Sequence, residues 1–127
     1  MKRSLTLFVL FVGMSFLFAS CGSTDAAEKT ATKFFKLLIK GDFKKANTFI
    51  SAGFDPDVQL QQISRLGKND TAGKLLSAKK TMGFNTNITN GITTVKLPYL
   101  LKYEKSELSV EVTLVNRGSG FKIQSIN

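Results

Sequence analysis

The chain contains no histidine and no tryptophan, and it has one cysteine among its 127 residues. The lack of histidine excludes a histidine-based triad, a histidine general base and a histidine-ligated metal site. A single cysteine excludes an intramolecular disulfide and every zinc or iron–sulfur site that needs several cysteines. A chain of this length holds one domain at most, so a large multidomain enzyme is excluded as well.

The first twenty residues have the pattern of a signal peptide. Two cations, Lys2 and Arg3, precede an apolar run from Leu5 to Ala19. That run is shorter than the roughly 20 apolar residues that a membrane-spanning helix needs. A charged start followed by a short apolar run is typical of an export signal. We therefore expect residues 1–20 to be removed from the mature protein.

The segment Ala19-Ser20-Cys21 resembles the lipobox of bacterial lipoproteins, in which the cysteine becomes the acylated N-terminus. The resemblance implies lipidation at Cys21 and a membrane-anchored protein of the bacterial cell envelope. An aspartate directly after the cysteine would resemble an inner-membrane retention signal. This chain has Gly22 at that position, so the outer membrane is favoured. The alternative is a secreted protein with ordinary signal cleavage after Ser23.

The first half of the mature chain has helical periodicity. After a polar tether at residues 21–24, Asp25 and Glu28 form a capping-box pattern that predicts a helix start. Phenylalanines at 34 and 35 and small apolar residues share one face of this helix, and lysines occupy the other. Gly41 ends it. Two further helices are predicted, one capped by Asp42 and one starting at Asp55-Pro56 and ending at Gly67.

The second half alternates with the period of β-strands. Asn90-Gly91 is a strong hairpin signal. Pro98 lacks an amide donor, so we expect an edge or a bulge at that point. The alternation predicts four strands whose inward side chains are Leu76, Ala78, Met82 and Phe84, then Val95, Leu97, Tyr99, Leu101 and Tyr103, then Leu108, Val110, Val112 and Leu114, and finally Phe121 and Ile123.

Helices followed by antiparallel strands predict an α+β fold, with a curved four-stranded sheet covering the first helix. The sequences Asp25-Ala26-Ala27, Phe34 to Ala46 and Leu114 to Ile123 resemble the opening and the closing strand pair of DUF4878-type, NTF2-like lipoproteins. The resemblance implies that residues 25–127 form a cone-shaped domain with a cavity between sheet and helices. It implies no reaction.

The candidate pocket-lining residues are aromatic and face inward on the predicted strands and helix: Phe35, Phe84, Tyr99, Tyr103 and Phe121. They can line a ligand cavity, or they can be ordinary core with the tyrosine hydroxyls at the rim. No acid falls at an inward strand position, so the carboxylate base of an isomerase-like enzyme is not indicated. We predict no catalytic residue, no metal site and no cofactor.

Three functional hypotheses remain at this point. The first is a lipid-anchored, non-enzymatic module that binds a small apolar ligand or a peptide. The second is an accessory or scaffold protein with a filled core that docks an envelope protein partner, and the third is a cryptic isomerase-like enzyme. Nucleic acid is a poor partner because export removes the chain from it, and because the lysines lack interleaved arginines and stacking aromatics. The lysine-rich face, at a net charge of +9 for the whole chain, is read as a solvated surface or as one attracted to anionic headgroups.

Overall fold

A computed structural model of the protein describes residues 23–51 and 55–127. Cys21 and the predicted signal peptide lie outside the described residues. Three helices come first, as predicted: α1 (residues 23–40), α2 (Phe43–Asn47) and α3 (Pro56–Gly67). Six strands follow: β1 (Lys68–Asn69), β2 (Gly73–Lys80), β3 (Asn85–Thr89), β4 (Ile92–Tyr103), β5 (Glu107–Asn116) and β6 (Phe121–Ile126).

The sheet is antiparallel and strongly curled into a half-barrel, with the helices packed against it. Its order is β1-β2-β4-β5-β6, and β3 also pairs with β4. The α+β class and the curved sheet are confirmed, whereas the prediction of four strands is wrong. Two strands were missed because β1 has only two residues and because the predicted first long strand is divided into β2 and β3.

Pro98 explains that division. Glu111, which faces Pro98 across the β4–β5 ladder, turns its amide and carbonyl toward Asn127 at the other side of β5. The backbone of Pro98 therefore points toward β2 and β3, where its carbonyl accepts a bond from the Thr81 amide at 3.0 Å. Because proline has no amide hydrogen to return, pairing stops there and the chain loops out until β3 begins at Asn85. The predicted edge is thus a gap beside a central strand.

The side-chain direction predicted for the first strand is confirmed at Ala78, which packs against the core, and is wrong at Leu76, Met82 and Phe84. A register shift between Leu75 and Ser77 places Leu75 inside and leaves Leu76 51% exposed. A bulge of this kind changes the alternation locally, so that Leu75 and Ala78 both face the core. Met82 and Phe84, which are expected to face inward, lie in the loop between β2 and β3 and are exposed.

The alternation predicted for β4 is confirmed, since all five of its inward residues are buried. In β5, Val110, Val112 and Leu114 are buried as predicted, but Leu108 is 48% exposed. Leu108 pairs with Leu101 near the β4–β5 turn. The central pair of strands thus supplies most of the sheet's inner surface.

The apolar face of α1 fills the concave side of the sheet. Its buried residues are Ala27, Ala31, Phe34, Phe35 and Leu38. The helix includes residues 23 and 24, so Asp25 lies inside the helix and not at its cap, contrary to the predicted boundary. The other two caps are confirmed: the carboxylate of Asp42 accepts a bond from the Lys45 amide, and that of Asp55 from the Asp57 amide.

Candidate functional site

The interior of the half-barrel is filled by aromatic side chains. Phe35 packs between Phe34 and Tyr99, with ring centroids 5.4 Å and 4.9 Å away. All three rings are buried, and the arrangements are tilted or edge-on, as aromatic pairs prefer. Phe35 and Tyr99, two of the predicted pocket residues, therefore lie together in the core.

The tyrosine hydroxyls are bound to the helices. The Tyr99 hydroxyl lies 3.2 Å from the hydroxyl of Thr32 and 3.4 Å from the backbone carbonyl of Glu28, both on α1. The Tyr103 hydroxyl donates to the carbonyl of Leu66 near the end of α3. Each tyrosine thus ties the sheet to a helix, which matches the core reading of these residues better than the cavity reading.

Burial raises the pKa of both phenols above the ordinary value of 10.0. For Tyr99, the hydrogen bond with Thr32 opposes this effect on the pKa, and the negative charge of Glu28 adds to it. Both groups are therefore neutral hydrogen-bond partners at physiological pH. A phenol in this state is a poor base.

The two remaining pocket candidates are placed apart from these tyrosines. Phe84 is 63% exposed, which corrects its predicted inward position; the break after Lys80 releases it from the sheet's alternation. Phe121 is partly buried and packs against the core from the start of β6. The five candidates do not converge on one cavity.

A cleft of about 510 Å³ lies elsewhere, between α3 and β6 at the edge of the sheet. Its apolar lining comes from Ile50, Val58, Ile63, Leu66, Ile123 and Ile126, and its polar lining from Asp55, Gln59, Gln62, Gln124 and Ser125. The apolar residues Leu60, Ile63 and Leu66 at helical spacing are a weak sequence indication of an apolar face on α3. Nothing in the sequence indicates that β6 lies opposite that face.

The segment after α2 positions β6 for this cleft. Ile50 forms a parallel bridge with Ile123, in which the Ser51 amide donates to the Ile123 carbonyl at 2.7 Å. The Ile123 amide in turn donates to the carbonyl of Phe49 at 2.8 Å. Asp55 then caps α3, and the first turn of this helix forms the opposite wall of the cleft.

The described residues do not form a buried cluster of charged side chains. Every described aspartate and glutamate is exposed or half-buried, and no set of three metal-ligating side chains occurs in residues 23–51 and 55–127. The Lys80 ammonium, which falls on the inner parity of β2, is bound to the carbonyl of Thr81 at 3.1 Å. In the part of the chain that is described, no helix combines the length and apolar character required to cross a bilayer.

Comparison with protein-family models and with curated proteins finds no match for this chain. The assignment of a function therefore depends on the sequence and on the geometry described above.

Proposed function

We propose that the protein is a lipid-anchored envelope protein that binds a small apolar ligand, or an apolar segment of a peptide, in the cleft between α3 and β6. The cleft itself carries the proposal. Its volume lies within the range of about 300–1,000 Å³ that is usual for ligand sites. A lining that combines apolar side chains with polar groups able to orient a ligand is also usual for such sites.

The polar residues of the lining indicate how a ligand is oriented. Three glutamines, Gln59, Gln62 and Gln124, offer both donors and acceptors, and Asp55 adds a carboxylate. Amides of this kind suit a ligand with a neutral polar end, such as a peptide group or a carbonyl. We further propose that the protein is not an enzyme, because among the described residues of the cleft the carboxylate, Asp55, is exposed and is engaged in capping α3.

The cleft can be tested by adding a charge to its wall. Val58 lines the cleft and is 51% exposed, so Val58→Lys should leave the fold intact and weaken binding of the uncharged fluorescent probe N-phenyl-1-naphthylamine. A tenfold loss corresponds to about 1.4 kcal/mol. Gln61→Lys is the matched control, because Gln61 is exposed on the same helix and outside the cleft. Equal binding by the two variants would contradict the proposal.

The anchor is a separate part of the same proposal. It is supported by the position of Cys21, the chain's one cysteine, directly after a signal-like run. Metabolic labelling with a palmitate analogue should mark the wild type and leave Cys21→Ser unmarked. Equal labelling of both chains would remove the anchor from the proposal.

The fold is proposed to be the NTF2-like cone that the sequence resemblance implies, and the chain a DUF4878-type lipoprotein. The helices against a curled sheet support this assignment. The filled interior supports a second candidate function, an accessory or scaffold protein that docks an envelope partner. Covalent crosslinking in native membranes from a photoreactive residue at Val58 separates the two candidates: a protein adduct favours the scaffold, and its absence favours a small ligand.

A further inference from the structure

Three large apolar side chains stand exposed at one end of the sheet. Met82 is 97% exposed, Phe84 63% and Ile88 67%. We call these three residues the hairpin surface, because they lie in β3 or in the loop that leads into it. Exposed apolar residues gathered in one short segment mark a site of contact with another molecule or with a membrane.

The hairpin surface lies beside the first described turn of α1. The Thr24 hydroxyl is 3.4 Å from the hydroxyl of Thr86, in the middle of β3. Thr86 pairs with the buried Val95, so it is on the helix-facing side of the sheet, and the alternation of a strand places Ile88 on that side too. Ile88 lies two residues beyond Thr86 on that side and is exposed.

The position of Cys21 relative to this surface follows from chain length alone. Cys21 precedes Thr24 by three residues, and three residues span at most about 11 Å in any conformation. Acyl chains on Cys21 would therefore enter the bilayer within a short distance of β3. The hairpin end of the molecule, and not the opposite end, would face the membrane.

The charge around the hairpin surface suits an anionic membrane. From Thr71 to Tyr103 the chain carries five lysines and no acid. Of these, Lys79 and Lys80 end β2 and Lys96 pairs with Asn85 of β3. Two acids, Asp25 and Glu28, follow Thr24 on α1, and Lys29 comes directly after them. Lysines beside exposed apolar residues are the composition of a membrane-surface site.

We propose that the hairpin surface rests in the interface of the lipid bilayer beside the acylated Cys21 and fixes the orientation of the domain. This inference rests on the proposed anchor. The anchor holds the protein at the membrane, and Met82, Phe84 and Ile88 decide which side of the domain touches it. A bilayer is favoured over a protein partner because the anchor brings these residues to it and no further binding partner is required.

The experiment places a dye at either end of β4. Acylation would consume the Cys21 thiol, so a cysteine introduced by Ile88→Cys becomes the reactive thiol. Ser106→Cys is the matched control, since Ser106 is exposed in the β4–β5 turn. Ile88 pairs with Thr93, and the strand from Thr93 to Tyr103 separates the two labels by about 33 Å.

The labelled lipoproteins are reconstituted into vesicles of phosphatidylethanolamine and phosphatidylglycerol that carry a doxyl-lipid quencher. The inference expects strong lipid quenching at position 88 and little at position 106. Replacing Met82 and Phe84 by serine should lower the quenching at position 88 while the protein still floats with the vesicles. Both residues are exposed, so these changes leave the core unaltered.

Failure of the anchor and failure of this inference give different results. Without acylation, the protein does not float with the vesicles and two thiols react. If the protein floats but the dye at position 88 is as accessible to aqueous iodide as the dye at position 106, the inference is overturned. Shielding of position 88 in native membranes, but not in protein-free vesicles, would overturn it in favour of a protein partner.

Discussion

Gly67, the last residue of α3, should tolerate no side chain as long as Phe43 keeps its place. A Cβ added at Gly67 would lie 2.5 Å from Cε1 and 3.2 Å from Cζ of the Phe43 ring, and 3.3 Å from the carbonyl oxygen of Leu38. The first distance is far below a van der Waals contact between carbon atoms. Gly67→Ala must therefore displace either the ring of Phe43 or the end of α3.

Two effects of opposite sign decide the result. Alanine is favoured over glycine inside a helix by up to about 1 kcal/mol, and by less at the final residue. Overpacking of a filled site costs about 1–3 kcal/mol. Since Phe43 is half-buried and packs against the core, its ring can move only in part. We expect Gly67→Ala to lower the free energy of unfolding by about 1–2 kcal/mol.

A double-mutant cycle in urea unfolding isolates the contact. In a Phe43→Ala background the steric conflict is gone, and Gly67→Ala should become neutral or slightly stabilising. The midpoint should shift without a change in the m-value, so that the effect belongs to the folded state. An equal loss of stability in both backgrounds, or a gain from Gly67→Ala in the wild type, would refute this account of how α3 meets α2.

Three further predictions concern the core, the tyrosines and the hairpin. Phe35→Ala should reduce the free energy of unfolding by about 3–5 kcal/mol, because Phe35 is buried. Lys36→Ala, at the neighbouring exposed position, should reduce it by less than about 0.5 kcal/mol. Similar urea midpoints for the two variants would mean that the buried face of α1 is wrongly assigned. Because burial raises the pKa of Tyr99 and Tyr103, their contribution to stability is fully present below pH 10.0 and is lost as pH rises through the folded-state pKa. The wild type should therefore lose more stability above pH 10.0 than the variant with both tyrosines changed to phenylalanine. Parallel curves of stability against pH for the two proteins would contradict the burial. Gly91 has a φ of 76°, so Gly91→Ala should destabilise the hairpin by about 1–2 kcal/mol in thermal unfolding, and an unchanged melting temperature would argue against this turn.

Local chemistry predicted the elements that depend on a few adjacent residues. Asp42 and Asp55 cap the second and third helices, and Asn90-Gly91 turns the hairpin with both residues at positive φ. The alternation along β4 predicted its buried face because no bulge interrupts it. These signals succeed because each one is decided within a single element.

The errors arose where one element acts on another. The break between β2 and β3 is caused by Pro98, which lies on the neighbouring strand, and the bulge after Leu75 changes which side chains of β2 face the helix. The inward position predicted for Phe84 is wrong because the break ends the alternation before this residue. The cleft could not be predicted, because a parallel bridge between Ile50 and Ile123 joins parts of the chain that are far apart in sequence.

The gap beside Pro98 also has a consequence for how the sheet assembles. β3, β4, β5 and β6 follow one another through short turns, so their pairings are local and can form early in folding. β2 joins the far half of β4 across an intervening loop and β3, and it carries β1 and the end of α3 with it. Since no ladder runs through the gap, the β1–β2 unit can open while the four-strand meander stays closed. Amide hydrogen exchange should therefore show two cooperative units in one small sheet, with Leu75 and Ala78 exchanging before Val95 and Val112.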